Sequence, residues 1–247
     1  MEVHSHTHTT EKKWTHYIWE FLMLFLAVFC GFLAENIREH KIEKSREKQF
    51  MRSLIEDLKA DTTSIVNLTK FRNARYKIYD SLTGAIIEKK YAMNGAAFYY
   101  WGRYISRRAF FFSADGTMQQ LKNSGGLRLI SNKTITDKII AYDVLYRNII
   151  RQQELEELQM NEYRGLAARV FDAAVFRKMT TLNDTILIER PGGNPQLKDG
   201  SPALLNELAN QLNYWVVGST VLRQYLEQIK GKASILIELI QKEYHLQ

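Results

Sequence analysis

Aromatic and arginine side chains are concentrated between residues 98 and 112 (FYYWGRYISRRAFFF). This segment has eight aromatic residues, three arginines and no acidic residue. Guanidinium groups beside aromatic rings can stack on nucleobases or bind anionic ligands. The candidate contacts for a ligand or a protein partner are Tyr100, Trp101, Arg103, Tyr104, Arg107 and Arg108. Packing within a helical bundle explains the same composition and is favoured; a membrane-surface contact is a further alternative, and nucleic acid is disfavoured.

The net charge of the chain, +7, comes almost entirely from the region around this segment. Residues 88–133 contain eight lysines and arginines against two acids, a balance of +6. The basic character therefore belongs to one region, which strengthens the hypothesis of an anionic ligand there.

Histidines alternate at the N-terminus, where His4, His6 and His8 could bind a transition metal. No cysteine or carboxylate at fixed spacing completes a site, so a polar tail is the favoured interpretation. The single cysteine, Cys30, lies in an apolar block and excludes a disulfide framework.

Acidic residues recur at four-residue steps after the apolar block, at Glu35, Glu39, Glu43 and Glu47. This spacing places them on one helix face. A solvated stalk is the favoured interpretation. The functional alternative is a docking stripe for a basic helix or for a second copy of the chain in a coiled coil.

No nucleotide-binding loop, zinc motif or nucleophile elbow is present in the sequence. We therefore predict no catalytic residue and no cofactor. An enzyme is not excluded, but nothing in the sequence argues for one.

The strongest pattern concerns location. Phe21–Ala34 has no charge, whereas nine of the fourteen residues in Glu35–Lys48 are charged. A helix of fourteen residues covers about 21 Å and a bilayer core about 30 Å, so the predicted span extends back to Trp14 and includes Glu20. Bulky Phe32 and Leu33 disfavour signal-peptide cleavage; a buried core helix is the remaining alternative.

Basic residues flank the predicted span unequally. Two lysines precede it and six basic residues follow, which places the large domain in the cytoplasm. The predicted segments are a tail (1–13), a transmembrane helix (14–34), a charged juxtamembrane helix (35–50) and a bundle domain (51–247).

Apolar residues at three- and four-residue steps predict three long helices beyond the span. The first ends near Gly84 or Lys90. The second is capped by Ser131 or Asn132 and runs to about Met179, with Leu155 and Leu158 on its buried stripe. The third runs from about Pro202 to Tyr244.

Shorter elements are expected between these helices. Glycines break residues 91–131 into short helices, one of which is capped by Ser113 and ends at Gly125. A short strand is expected at residues 185–189.

These elements predict an all-α fold. The N-terminal transmembrane helix continues into an antiparallel bundle with a short-helix insertion at about 91–131. The insertion packs at one end or forms a fourth element, and residues 181–201 lie at the opposite end.

Two sequence blocks resemble a family of uncharacterised bacterial single-pass membrane proteins. One is Arg-Ser-Leu-Ile-x-Asp-Leu-x-x-Asp, which covers Arg52–Leu58 and Asp61. The other is Leu-Lys-x-Ser-Gly-x-Leu-Arg-Leu-Ile, which covers Leu121–Ile130. The resemblance extends over residues 12–145 and implies an inner-membrane location but no site residues.

Two functions are therefore expected. The favoured one is a membrane-anchored interaction or scaffold module that binds the lipid bilayer and a protein partner or a second copy. The alternative is a sensor-like domain that binds a small or anionic ligand through residues 98–112.

Overall fold

The computed structural model describes residues 14–182 and 186–246 and confirms the all-α class. Three helices are long: α1 (Trp14–Ile87), α4 (Lys133–Val170) and α6 (Pro202–Tyr244). The short elements are α2 (Gly95–Ile105), α3 (Gly116–Asn123), a 3₁₀ helix (Gly126–Leu129), α5 (Ala173–Lys178), and strands β1 (Thr180–Leu182) and β2 (Ile186–Ile188).

The chain divides into two compact units, Met1–Phe50 and Met51–Gln247. In the described part of the first unit, all residues belong to α1, and the side chains from Trp14 to Ala34 are exposed. By length and composition this helix could cross a membrane. His16 Nε2 lies 3.1 Å from a carboxylate oxygen of Glu20 in the apolar part.

Two of the predicted helix starts in the second unit are confirmed. The Asn132 side chain accepts hydrogen bonds from the amides of Thr134 and Ile135 and caps α4, which satisfies two otherwise unpaired donors. Helix α6 begins at Pro202, whose fixed φ suits a first helical turn. The predicted Ser113 cap is wrong, because α3 begins after Asp115.

The buried stripe of α4 differs from its predicted register. Leu155 and Leu158, predicted to be buried, are 48% and 62% exposed, whereas Gln153 and Glu156 are buried. The helix keeps its three- and four-residue steps from Ile149 onward, so regular geometry brings two polar residues into the interior. The apolar pattern alone predicts the wrong register for the buried face, because Gln153 and Glu156 have hydrogen-bonding partners in the interior.

Helix α4 also ends earlier than predicted. It stops at Val170 because Asp172 caps a separate helix, α5, by accepting from the amides of Ala174 and Val175. Phe171 at the break packs against Gly102, where a Cβ would lie 2.3 Å from the phenylalanine ring. The break between α4 and α5 therefore places the Phe171 ring against α2 at Gly102, where a larger residue would not fit.

Helices α1 and α4 run in the same direction within the second unit. The Tyr142 hydroxyl donates to Asp61, and Arg72 donates to Glu156, so contacts further along α1 are made with residues further along α4. The expected antiparallel pairing is therefore wrong for this pair.

Helix α6 runs antiparallel to the other two long helices. Arg72 donates to Ser219, and Tyr79, further along α1, donates to Asn213, which comes earlier in α6. The core between the three helices is closed by apolar side chains such as Leu82, Leu212 and Trp215.

An extended strap, residues 107–115, makes the parallel pairing possible. Extended chain advances about 3.3 Å per residue and a helix only 1.5 Å, so the strap leads back along the bundle in few residues. Phe111 and the Gln153 side chain exchange hydrogen bonds of 2.5 and 3.1 Å midway. The insertion therefore forms a fourth element of the bundle, one of the two predicted arrangements.

The segment after α5 packs against α2 and not at the opposite end of the bundle, so that expectation is wrong. Strands β1 and β2 pair antiparallel, Thr181 opposite Leu187, and β2 confirms the predicted strand. Asn194 accepts from the Gly95 amide at 2.6 Å, and a Cβ on Gly95 would lie 2.1 Å from the Pro195 carbonyl oxygen. This close approach requires glycine at the start of α2.

Asp61 holds the far end of the strap against α1. It is 2% exposed and accepts hydrogen bonds from the Ser113 hydroxyl, the Ala114 amide and the Tyr142 hydroxyl. One turn earlier, Asp57 accepts from the amide of Thr117 in the first turn of α3. Asp61 therefore joins α1, the strap and α4. Burial, together with the charge of Asp61, raises the pKa of Tyr142 well above its ordinary value.

Replacement of Asp61 by alanine is expected to lower the free energy of unfolding by about 3 kcal/mol or more, because one buried and two partly buried donors lose their acceptor. Chemical denaturation of the detergent-solubilised chain measures the change. The control is Asp137→Ala, an exposed residue of α4, for which we expect a change within about 0.5 kcal/mol. Equal effects of the two substitutions would contradict the role assigned to Asp61.

Candidate functional site

Residues from four parts of the chain form one surface, which we call the arginine–aromatic face. Helix α2 and its C-terminus supply Tyr100, Tyr104, Arg103 and Arg107, which share one side because they are three or four residues apart. Helix α1 adds Phe71, helix α5 adds Phe176, and the segment after β2 adds Arg190.

Each of the three guanidiniums of this face lies over an aromatic ring. The Arg107 Cζ is 5.2 Å from the ring centroids of both Phe71 and Tyr104. Arg103 lies over Phe176 at 5.8 Å and Arg190 over Tyr100 at 5.3 Å. These are cation–π distances, which hold a guanidinium in place while its N–H groups can still bind an acceptor.

Among the described residues, no carboxylate lies within 4.0 Å of Arg103, Arg107 or Arg190. Within the described residues, none of these three guanidiniums therefore forms an ion pair with a carboxylate. Guanidinium matches the geometry of carboxylate and phosphate, so the face is chemically suited to an anionic group.

Two of the predicted contact residues do not belong to this face. Arg108 donates to Glu157 at 2.9 Å, and the same carboxylate accepts from Arg164 at 2.7 Å. Burial opposes the charge of Glu157, but these two hydrogen bonds lower its pKa. Trp101 lines a separate groove with Asp80 and Gly84. The structure thus brings together Tyr100, Arg103, Tyr104 and Arg107 of the predicted set.

A buried ion cluster lies behind the face, where α1, α4 and α6 meet. Arg72 donates to the two carboxylate oxygens of Glu156 at 3.1 and 2.9 Å and to the Ser219 hydroxyl at 2.7 Å. Trp215 Nε1 donates to the same carboxylate at 2.8 Å. Arg72, Arg75 and Glu156 are only 2%, 3% and 6% exposed.

Arg75 connects this cluster to helix α2. Its Nε and Nη2 donate to the Ile105 carbonyl at 3.1 and 2.8 Å, at the last residue of α2. The guanidinium lies 4.6 Å from the Trp215 ring and 3.6 Å from Glu156. Burial lowers the pKa of Arg75 to about 10, although the Glu156 charge opposes the shift. Arg75 therefore holds the C-terminal end of α2 in place, two residues before Arg107.

The interior beside the face offers almost no space for a ligand. The cavity that touches Arg75, Arg107, Arg108 and Glu156 has a volume of about 10 Å³. This is at most the space of one water molecule. An anionic group therefore has to bind the face from outside.

The three histidines predicted as possible metal ligands, His4, His6 and His8, lie outside the described residues. Within residues 14–182 and 186–246, no group of three histidine, cysteine, aspartate or glutamate side chains is placed to hold a metal.

The four glutamates after the span are not equivalent. The Arg38 side chain donates to Glu35 at 2.9 Å and lowers the pKa of that carboxylate, and Glu43 lies near His40. Glu47 is buried, only 4% exposed. A continuous exposed stripe is therefore absent from this part of the described chain, and pairing with a second copy stays a prediction.

Sequence reasoning missed the contributions that come from distant segments. Arg190 and Phe176 reach the face because the described residues that follow α4 pack back onto α2, and Phe71 reaches it from α1. Glu156 could have been found, since regular steps from Ile149 lead to it. Its partner Arg72 interrupts the apolar stripe of α1 without any local sign of burial.

Replacement of Glu156 by leucine is expected to lower the free energy of unfolding by about 3–5 kcal/mol, because two buried guanidiniums lose their carboxylate. Thermal and denaturant unfolding measure the loss. The control Glu154→Leu removes the same charge from an exposed position two residues away and should change stability by less than about 0.5 kcal/mol. A stable Glu156→Leu protein would show that the ion cluster does not hold the helices together.

No family model, curated protein or solved structure matches this chain. Membership of a family of bacterial single-pass membrane proteins therefore stays a prediction from the two sequence blocks. The arginine–aromatic face, held in place by the interactions described above, is the feature of the structure that bears on function.

Proposed function

We propose that the chain is a membrane-anchored interaction module whose arginine–aromatic face binds an acidic segment of a partner protein. The observation that carries the proposal is the group of three guanidiniums, Arg103, Arg107 and Arg190. Each lies on an aromatic ring, and none has a carboxylate within 4.0 Å among the described residues.

The open shape of the face favours a macromolecular partner over a small ligand. The adjoining cavity of about 10 Å³ cannot enclose a metabolite, whereas small-molecule sites usually have volumes of about 300–1,000 Å³. A protein partner needs an open surface with fixed anchors, and arginine and tyrosine are enriched among such anchors. This supports the interaction module rather than the sensor-like domain.

Preorganisation makes the face suitable for binding. A free arginine loses side-chain entropy when it is immobilised by a partner. Arg107 lies over both Phe71 and Tyr104, whose ring centroids are 5.8 Å apart, and Tyr104 in turn packs against Tyr100 at 5.6 Å. Arg107 therefore loses less side-chain entropy on binding a partner than a free arginine would.

The anchor is the apolar part of α1, which could cross a membrane. We propose that the span occupies residues 14–34 of a bacterial inner membrane and that the bundle domain is cytoplasmic. The excess of basic residues after the span and the resemblance to bacterial single-pass proteins support this location.

A green fluorescent protein fused after Gln247 is expected to fluoresce and to remain in bacterial membranes after an alkaline carbonate wash. Alkaline phosphatase at the same position should be inactive, because its disulfides form only in the periplasm. Leu24→Lys with Val28→Lys should release the protein, since each lysine costs about 3 kcal/mol in a bilayer. An active phosphatase fusion would reverse the proposed side.

Loss of the three arginines is expected to weaken binding of an acidic peptide. The probe is fluorescein-labelled poly-glutamate, and anisotropy is measured with the full chain in detergent. Arg103→Gln, Arg107→Gln and Arg190→Gln together should raise the Kd about tenfold, because three charge-assisted contacts disappear.

The control for this experiment has the same change of net charge. It combines Lys70→Gln, Lys77→Gln and Lys232→Gln, three exposed cations that lie on no aromatic ring among the described contacts. We expect its Kd to change by less than about threefold. An equal loss in both variants, or no binding by the unmodified chain, would refute the assignment to the face.

A further inference from the structure

We propose that a groove at the C-terminal end of α1 is a binding site for a linear aliphatic polyamine. The groove has a volume of about 420 Å³, within the range of small-molecule sites. Its lining combines carboxylates, aromatic rings and small apolar side chains. It is chemically the opposite of the arginine–aromatic face, and its function does not depend on the one proposed above.

One wall is a row formed by Asp80 and Gly84 of α1 and by Glu88, which directly follows the helix and donates its amide to the Gly84 carbonyl at 2.9 Å. The backbone positions of the two acidic residues, eight residues apart, are therefore separated by about 12 Å along the helix axis. Between them no heavy atom outside the local helix lies within 4 Å of the position where a Cβ on Gly84 would be. The row therefore has an anionic group at each end and an open centre.

The opposite wall is aromatic and apolar. It consists of Tyr91, Met93 and Trp101, with Ala85 beside the helix row. The Tyr91 ring packs against the buried ring of Phe98 at 5.9 Å, which holds this wall in place. Aromatic faces attract ammonium groups, and apolar side chains can cover the methylene groups between them.

A cation from the chain itself already uses one end of the groove. The Lys90 ammonium lies 2.5 Å from a carboxylate oxygen of Glu88, and both side chains are more than half exposed. An ion pair this exposed contributes little to stability, so a ligand ammonium can replace it at small cost. The formal charge of the lining, with Asp80, Glu88 and Lys90, is −1, and it becomes −2 when Lys90 moves away.

The spacing of Asp80 and Glu88 indicates which polyamine fits the groove. Spermidine has nine bonds between its terminal nitrogens and reaches about 11 Å when extended, close to the axial separation of Asp80 and Glu88. Its terminal ammoniums match these two residues, its methylenes match Gly84 and Ala85, and its central ammonium meets the aromatic wall of the groove. A diamine with four carbons spans only about half of that separation.

Isothermal titration of spermidine into the full chain in detergent tests the proposal. We expect saturable one-to-one binding and weaker binding of putrescine. Asp80→Asn with Glu88→Gln should raise the Kd at least about fivefold, because two charge pairs are lost. Lys90→Gln should lower the Kd, because it removes the competing ammonium.

The control pair is Glu154→Gln with Glu162→Gln, two exposed carboxylates with the same eight-residue spacing on α4 and no aromatic wall. Its Kd for spermidine should stay within about twofold of the unmodified chain. Circular dichroism verifies that every variant is folded. Equal loss in both pairs, no effect of Lys90→Gln, or tighter binding of an oligolysine peptide than of spermidine would overturn the proposal.

Discussion

Two buried guanidiniums, those of Arg72 and Arg75, share the carboxylate of Glu156 where the three long helices meet. Each charge is costly to remove from water and is stable inside only because the others are in place. The Ser219 hydroxyl and the Trp215 indole add hydrogen bonds to the cluster. Apolar side chains would close the same space without a fixed register. The ion pairs and hydrogen bonds of the cluster form together in only one relative position of α1, α4 and α6.

The cluster also reaches outside the core. Arg75 donates twice to the Ile105 carbonyl, and Arg72 Nη1 donates to Ala109 in the strap at 3.4 Å. These bonds fix where α2 ends and where the strap begins its path along the bundle. The strap returns the chain to Asp61, where the bundle part of α1 is beginning, so α4 runs parallel to α1. A buried ionic interaction thereby determines both the connectivity of the bundle and the location of Arg107.

Helix α2 then separates two surfaces of opposite character. Tyr104 lies under Arg107 and Tyr100 under Arg190, while Trp101 lines the acidic groove beside α1. The face places cations on rings, and among the described residues no carboxylate lies within 4.0 Å of them; the groove places rings beside Asp80 and Glu88. One short aromatic helix thus contributes to a basic and to an acidic surface on different sides.

The sequence alone determined the helices and the segment that could cross a membrane, because apolar spacing, the Asn132 cap and Pro202 act locally. It also showed that basic and aromatic residues are concentrated at 98–112. It could not determine the direction of α4, the break at Asp172 or the burial of Glu156. These depend on partners far along the chain, and a polar residue in a helix has no local feature that distinguishes a buried ion pair from solvent. Tertiary packing alone decided that Arg190 joins the face, because only the return of the chain after α5 brings it to Tyr100.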